Sequence, residues 1–357
     1  MAPRLKLSGV VLPDGERRDV WVVDGLIRTE PVSDAEAVPG GWLMPGLVDA
    51  HCHVGLEMTG AVPDDVAEEH ALSERSAGAL LLRDAGSPAD TRWMDERDDL
   101  PKIIRAGRHI ARPKRYLRNY GAEVDPDELV AEVERQVVRG DGWIKLVGDW
   151  IDREVGDLSP LWPADVAAAA IARAHELGCR VTAHVFGEQA VAELVTAGID
   201  GIEHGTGMDD ATIAIMAERR VALVPTMIQL DNFENYAEAG EARFPAYAKH
   251  MRALYAGRLE RFGKAIDAGV PIYAGTDAGG YLPHGLVGKE IASLAGFSSP
   301  EYALGAGSWR ARSWLGRPDQ LVEGAPADVV IFDRDPRTDL GVLMHPTAVI
   351  LRGVRVS

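Results

Sequence analysis

Apolar and polar residues alternate with a period of two at both ends of the chain, and between the ends the repeat lengthens. Near the start, Leu5, Leu7, Val10 and Leu12 precede Pro13-Asp14-Gly15, a sequence that favours a turn. Asp19-Val20-Trp21-Val22-Val23 then reads as a strand, with Asp24-Gly25 as its turn. Near the end, Ala327–Asp333 and Ala348–Val354 have the same character. Two β-rich ends around a mixed middle predict one small β-sandwich domain built from both termini, residues 1–44 and 316–357.

Residues 45–315 alternate short apolar runs with amphipathic stretches, the pattern of parallel βα units. Expected strands are Trp42–Val54, Ala79–Asp84, Arg108–Arg112, Trp143–Gly148, Arg180–Phe186, Gly201–Gly205, Ala222–Thr226 and Pro271–Asp277. Pro163 to Ala174 reads as a helix, with Gly178 as its stop. Eight such strands predict an α/β fold, a (β/α)₈ TIM barrel.

Composition narrows the partners. The 357 residues carry a formal charge of −17, which disfavours nucleic acid, whose phosphates need a basic face. A hydrophobic content of 46 % suffices for a full core, yet no apolar run approaches the roughly 18 residues of a membrane span. The first residues lack the apolar stretch of a signal peptide, and Cys52 and Cys179 are the only cysteines. The expectation is a cytoplasmic protein acting on a small molecule, with assembly into a homo-oligomer allowed.

Barrel enzymes carry their reactive groups at the C-terminal ends of strands. The first expected strand ends in His51-Cys52-His53, whose two imidazoles share one face because strand residues i and i+2 do. Lys145 lies inside the apolar run Trp143–Val147, where a lysine is costly unless paired or modified. His184, His204 and Asp277 end the fifth, sixth and eighth strands. A lone His-x-His is weak evidence; five strand ends with metal-binding groups are not a chance placement.

These residues resemble the metal-dependent amidohydrolases, in particular the branch of imidazolonepropionase-like proteins and Xaa-Pro dipeptidases. The resemblance rests on Pro45-Gly46-Leu47-Val48-Asp49-Ala50-His51-Cys52-His53, Leu82–Gly86, Ile144-Lys145-Leu146, Ala183-His184, Ile202–Gly205, Gly275-Thr276-Asp277 and Gly324–Val330. It implies two divalent metal ions, Zn²⁺ foremost. His51, His53 and Asp277 would bind the more buried ion, and His184 and His204 the more exposed one. A CO₂-derived carbamate on Lys145 would bridge them. The implied reaction is attack of a metal-activated hydroxide on an amide or peptide carbonyl of a dipeptide or N-acyl amino acid, with Asp277 moving the proton. Relatives often carry His-x-His at the fifth strand; here Phe186 stands at the second position.

Other residues admit two readings. Lys114, Arg115, Tyr116 and Arg118 form either a solvated basic loop or a rim that recognises a substrate carboxylate. His284 lies in a loop after the eighth strand, with substrate binding and a structural role equally weighted. Phe233, Tyr236, Phe244 and Tyr247 form either a packed helical insertion or an apolar lid, packing being the favoured reading. His70, His109, His175, His250 and His345 read as surface or packing residues, and Asp49, Asp84 and Glu203 as supports. Alternatives on the same fold are a lactonase or esterase, a mononuclear cyclic-amide hydrolase or deaminase, and a scaffold without activity.

Overall fold

The computed structural model describes residues 4–357 as a mixed α/β fold. The termini meet in one eight-stranded sheet. Leu5–Val11 and Glu16–Val23 pair as a hairpin around the expected Pro13-Asp14-Gly15 turn. Trp42–Pro45 pairs with Leu5–Val11 on one side and with Val329–Phe332, near the other end of the chain, on the other. Leu26 bridges Pro326, so the sheet bends back on itself. Its inward residues, among them Leu7, Val20, Ile27, Val329 and Ile350, share one core.

Parallel strands make up the middle. One run of pairings joins Ala278–Gly280, Leu47–Glu57, Ala79–Asp84 and Lys102–Arg105. A second joins Ile110–Ala111, Trp143–Val147, Arg180–Val185, Gly201–His204 and Ala222–Val224. Residues 271–277 connect the two runs. Ile272 bridges Leu223, the Ala50 N–H donates to the Ala274 carbonyl at 2.8 Å, and the Asp277 N–H donates to the His51 carbonyl at 2.6 Å. All five strand ends expected to hold metal-binding groups therefore lie in one continuous arrangement.

Three expected strands differ, for Pro271–Asp277 forms no ladder beyond the Ile272–Leu223 bridge and the strand in its place is Ala278–Gly280. The run Trp42–Val54 divides at Pro45-Gly46, and the piece before the break belongs to the terminal sheet. Proline has no N–H to continue a ladder, which places the division there. The third strand begins at Lys102, and only Ile110–Ala111 survives of Arg108–Arg112. Gly107, in the left-handed region at φ 71°, breaks the run between the two pieces. The helix predicted from Pro163 forms over Ala164–Glu176 with Pro163 as its N-cap. No helix among the described residues is long and apolar enough to cross a membrane.

Arg312 ties the terminal sheet to the parallel strands. Its guanidinium donates to the Pro318 carbonyl at 2.8 Å, the Gly46 carbonyl at 3.2 Å and Asp328 Oδ2 at 3.0 Å. Both members of the ion pair are largely removed from water. Arg312→Ala leaves Asp328 without its partner, so unfolding free energy should fall by about 3 kcal/mol in a denaturant titration. A loss below 0.5 kcal/mol would show that the junction does not depend on this residue.

Candidate active site

His51 and His53 leave the first parallel strand on the same side, as strand alternation requires. His51 Nε2 and His53 Nε2 are 3.2 Å apart, and Asp277 Oδ1 lies 3.0 Å from the first and 2.9 Å from the second. The other ring nitrogens decide what these atoms are. His51 Nδ1 lies 2.7 Å from Glu203 Oε2 and His53 Nδ1 lies 2.7 Å from the Gly86 carbonyl. Both partners only accept, so in neutral imidazoles each Nδ1 holds the proton and each Nε2 a lone pair. Two lone pairs and a carboxylate then face one another, which repels unless a cation sits among them. The spacing suits one: ligands roughly 2.0–2.1 Å from a tetrahedral zinc are separated by about 3.3 Å.

Supporting groups hold this triad from behind. Glu203 accepts from Arg83 Nη2 at 2.6 Å and from the Thr182 hydroxyl. Burial would raise the Glu203 carboxyl, but Arg83 holds it well below the usual range, so it stays an acceptor for His51. Arg83 also donates to the Ala50 carbonyl at 2.7 Å and lies over Trp143. Asp49 accepts from the His51 N–H at 3.1 Å and the Thr276 N–H at 3.0 Å, which joins the first strand to the segment bearing Asp277. Gly275 permits their approach, since a Cβ there would meet His51 Cβ at 2.6 Å. Asp84 accepts from the Gly86 N–H at 2.8 Å and shapes the turn that bonds His53.

A second pair lies alongside. His184 Nδ1 and His204 Nε2 are 2.9 Å apart, and the His204 ring centroid is 5.4 Å from that of His51. His204 Nδ1 is 2.7 Å from Thr226 Oγ1. His204, Thr226 and Asp277 have φ of 69°, 48° and 60°, a left-handed backbone costing about 1–3 kcal/mol at each non-glycine residue. Such strain gathers where side chains are aimed for function. Burial lowers the His204 imidazole to about 3 and keeps His184 neutral as well, the form in which imidazole donates a lone pair.

Lys145 is fully buried, and its Nζ has no hydrogen-bond partner among the described residues. Burial lowers the ammonium from its ordinary value to about 8, so a useful fraction is neutral amine near neutral pH. Its largest charged neighbours are Glu203 and Asp277. His51, His53 and Asp277 lie together, with His204 beside His51, His184 beside His204, and Lys145 near Glu203 and Asp277; all of them except the partly exposed Asp277 are buried.

The other expected site residues divide. Tyr116 lines the adjoining cleft beside His184, at a ring separation of 5.5 Å. Arg115 does not line the cleft, and its guanidinium is engaged within the chain. It reaches Asp152 Oδ2 at 2.8 Å, Ser159 Oγ at 2.8 Å and the Trp150 carbonyl at 3.3 Å. Arg118 is exposed and outside the cleft lining, which returns it to the solvated-loop reading. His284 bonds Glu74 Oε1 through Nδ1 at 2.9 Å and stacks on His70 at 4.2 Å, and it lines the groove beside the cleft while its imidazole also lies against the His53 backbone. Of the apolar residues after the seventh strand, Phe233 is packed inside while Tyr236 and Tyr247 line the cleft.

His109 was missed. It is fully buried, 5.0 Å from the His53 ring and 5.4 Å from the Tyr116 ring, with neither ring nitrogen bonded among the described residues. The signal was present, since His109 lies within the expected third strand. Trp150 was also missed. It belongs to a hairpin, Asp149–Asp152 with Asp157–Pro160, that no periodic pattern announces.

The sequence model of the amidohydrolase family matches residues 126–356, well over half of the chain. The chain belongs to the amidohydrolase family. As an amidohydrolase it is a hydrolase acting on carbon–nitrogen bonds, in a family that is generally metal-dependent. It is 56 % identical over 356 residues to an uncharacterized protein of Mycobacterium tuberculosis, covering 99 % of this chain and 95 % of that one. It is 25 % identical to ochratoxinase of Aspergillus niger over 86 % of this chain and 73 % of that one. The crystal structure of A. niger ochratoxinase shares the amidohydrolase's fold with a TM-score of 0.79 at 19 % identity, covering 99 % of this chain and 96 % of that one. A Xaa-Pro dipeptidase with bound methionine in its active site shares it with a TM-score of 0.81 at 22 % identity, over 99 % and 100 %.

Proposed function

We propose that this amidohydrolase cuts the amide bond of a small molecule using two divalent metal ions, Zn²⁺ foremost, held at the ends of parallel strands. The observation that carries the reading is the convergence of His51 Nε2, His53 Nε2 and Asp277 Oδ1, each within 3.2 Å of the others, while the Nδ1 atoms face the acceptors Glu203 and the Gly86 carbonyl. His184 and His204 would hold the second ion, and a carbamate on Lys145 would reach both. In this reading the two runs of parallel strands would close as one (β/α)₈ barrel over residues 45–315, beside a β-sandwich built from the two ends of the chain. This arrangement suits the branch of imidazolonepropionase-like proteins and Xaa-Pro dipeptidases. A cytoplasmic setting suits the free thiols Cys52 and Cys179.

When bound, the ions supply Lewis acidity for a carbonyl oxygen and lower the pKa of a water. The chain's own residues do the rest. Asp277 accepts the proton of the attacking water and passes it to the departing nitrogen, which must leave as an amine. Glu203 and Gly86 keep the protons of His51 and His53 on Nδ1, so both Nε2 atoms stay available. Tyr116 and Phe186 cover His184 and limit water around the scissile bond.

Metal content tests the reading. About two equivalents per chain should be found after mild dialysis. One equivalent would favour a mononuclear site with unmodified Lys145, and a stable chain that binds none would overturn the proposal. Because Arg115 serves Asp152 and Ser159, Arg115→Ala should lower the melting temperature without changing the ratio of kcat/KM between a carboxylated substrate and its neutral counterpart. A fall in that ratio of about tenfold would restore a substrate role.

A further inference from the structure

The cleft that opens from His184 says which amides fit. Tyr116, Trp150, Phe186, Tyr236, Tyr247 and Tyr281 surround it. Tyr116 and Trp150 meet edge to face at 4.9 Å and 72°, and Phe186 stands edge-on to His184 at 4.4 Å. Such walls offer both ring faces and ring edges to a flat guest. The cavity is about 110 Å³. An apolar cavity of about 150 Å³ holds a benzene molecule, so this somewhat smaller space, open toward the cleft mouth, admits no more than one ring.

Charge narrows the choice further. No lysine or arginine lines the cleft among the described residues. Arg115, the cation nearest in sequence to Tyr116, is paired with Asp152, donates to the Trp150 carbonyl and does not line the cleft. The polar wall group is Gln229. Its Nε2 donates to the Tyr236 hydroxyl at 2.9 Å and its Oε1 accepts from Asn232 at 2.9 Å, so its amide is held in place. A carboxylate on the ring, held away from His184, would lose its water and meet no lysine or arginine.

We propose that the preferred substrates are neutral amides bearing a single aromatic ring, which seats between Tyr116, Trp150, Phe186 and Tyr236 while the amide reaches His184. The proposal takes from the hydrolase reading only the identity of the bond that is cut. Ring recognition itself depends on the cleft.

Acetanilide and 4-acetamidobenzoate share one scissile amide and differ by a carboxylate on the ring. On the metal-loaded enzyme, kcat/KM for acetanilide should exceed that for 4-acetamidobenzoate by about tenfold or more. Binding is measured separately with the ketones acetophenone and 4-acetylbenzoate, which cannot be hydrolysed, and acetophenone should bind about tenfold more tightly. Trp150→Ala should reduce that affinity several-fold, and Gln229→Arg should reverse the preference toward 4-acetylbenzoate. Equal or tighter binding of 4-acetylbenzoate by the wild type would overturn the proposal. Preferential ketone binding without turnover of any amide would leave the ring site standing and sink the hydrolase reading instead.

Discussion

Asp277→Asn should lower kcat by about 10²–10⁴, the usual worth of a positioned general acid–base group. Asparagine keeps the shape and one carbonyl oxygen of the side chain but cannot take a proton. The wild-type carboxylate touches both His51 Nε2 and His53 Nε2 through one oxygen, Oδ1. Oδ2 is therefore free to receive the proton of an attacking water. The backbone is already committed to this task, since Asp277 holds a left-handed φ of 60° and its N–H donates to the His51 carbonyl. The measurement is kcat with metal content determined on the same sample. Normal metal content with kcat within a factor of about three of wild type would rule out proton transfer by Asp277. A fall in both quantities would make it chiefly a ligand.

Lys145→Ala should abolish measurable turnover and remove at least one equivalent of metal. The lysine occupies the middle of an apolar strand, Trp143–Val147, and its Nζ is buried without a partner. A buried amine lowered to about 8 can attack CO₂, forming the N–C bond and releasing a proton. The resulting carbamate would carry one negative charge shared by two oxygens, each able to hold an ion that His184 and His204 or His51 and His53 also bind. Lys145→Met serves as the packing control, because it fills the same volume without a nitrogen. Both variants should lose metal alike, and short carboxylic acids should restore part of the activity to Lys145→Ala alone. Full metal content in Lys145→Met would show that the lysine does not bridge ions.

Much of the metal-binding group was legible because its logic is local. A histidine or aspartate at the end of an apolar strand needs only strand periodicity and the barrel rule to place it. Lys145 was legible for the opposite reason: an unpaired charge inside an apolar run is costly enough to demand a special role. The same local logic failed for Arg115. Its loop position suggested a substrate contact, but its nearest anion, Asp152, lies 37 residues later in a hairpin that the sequence does not announce. The surroundings of His284 were equally hidden, because Glu74 and His70 approach it from a helix more than 200 residues earlier.

By itself, the sequence determined the strand-and-helix alternation and the pairing of the two ends, and it pointed to His51, His53 and Asp277, which lie together. Those features follow from periodicity, from proline and glycine positions, and from the free energy of burying charge. The tertiary structure alone decided which nitrogen of each histidine faces the centre, since Glu203 and the Gly86 carbonyl set the tautomers across the strands. It also decided that His109 joins the site, that Arg115 does not, and that the cleft is a ring-lined space without a cation. Hydrogen-bond partners and cavity walls come from segments far apart in the chain, and their meeting depends on the packing of the whole molecule rather than on any local pattern.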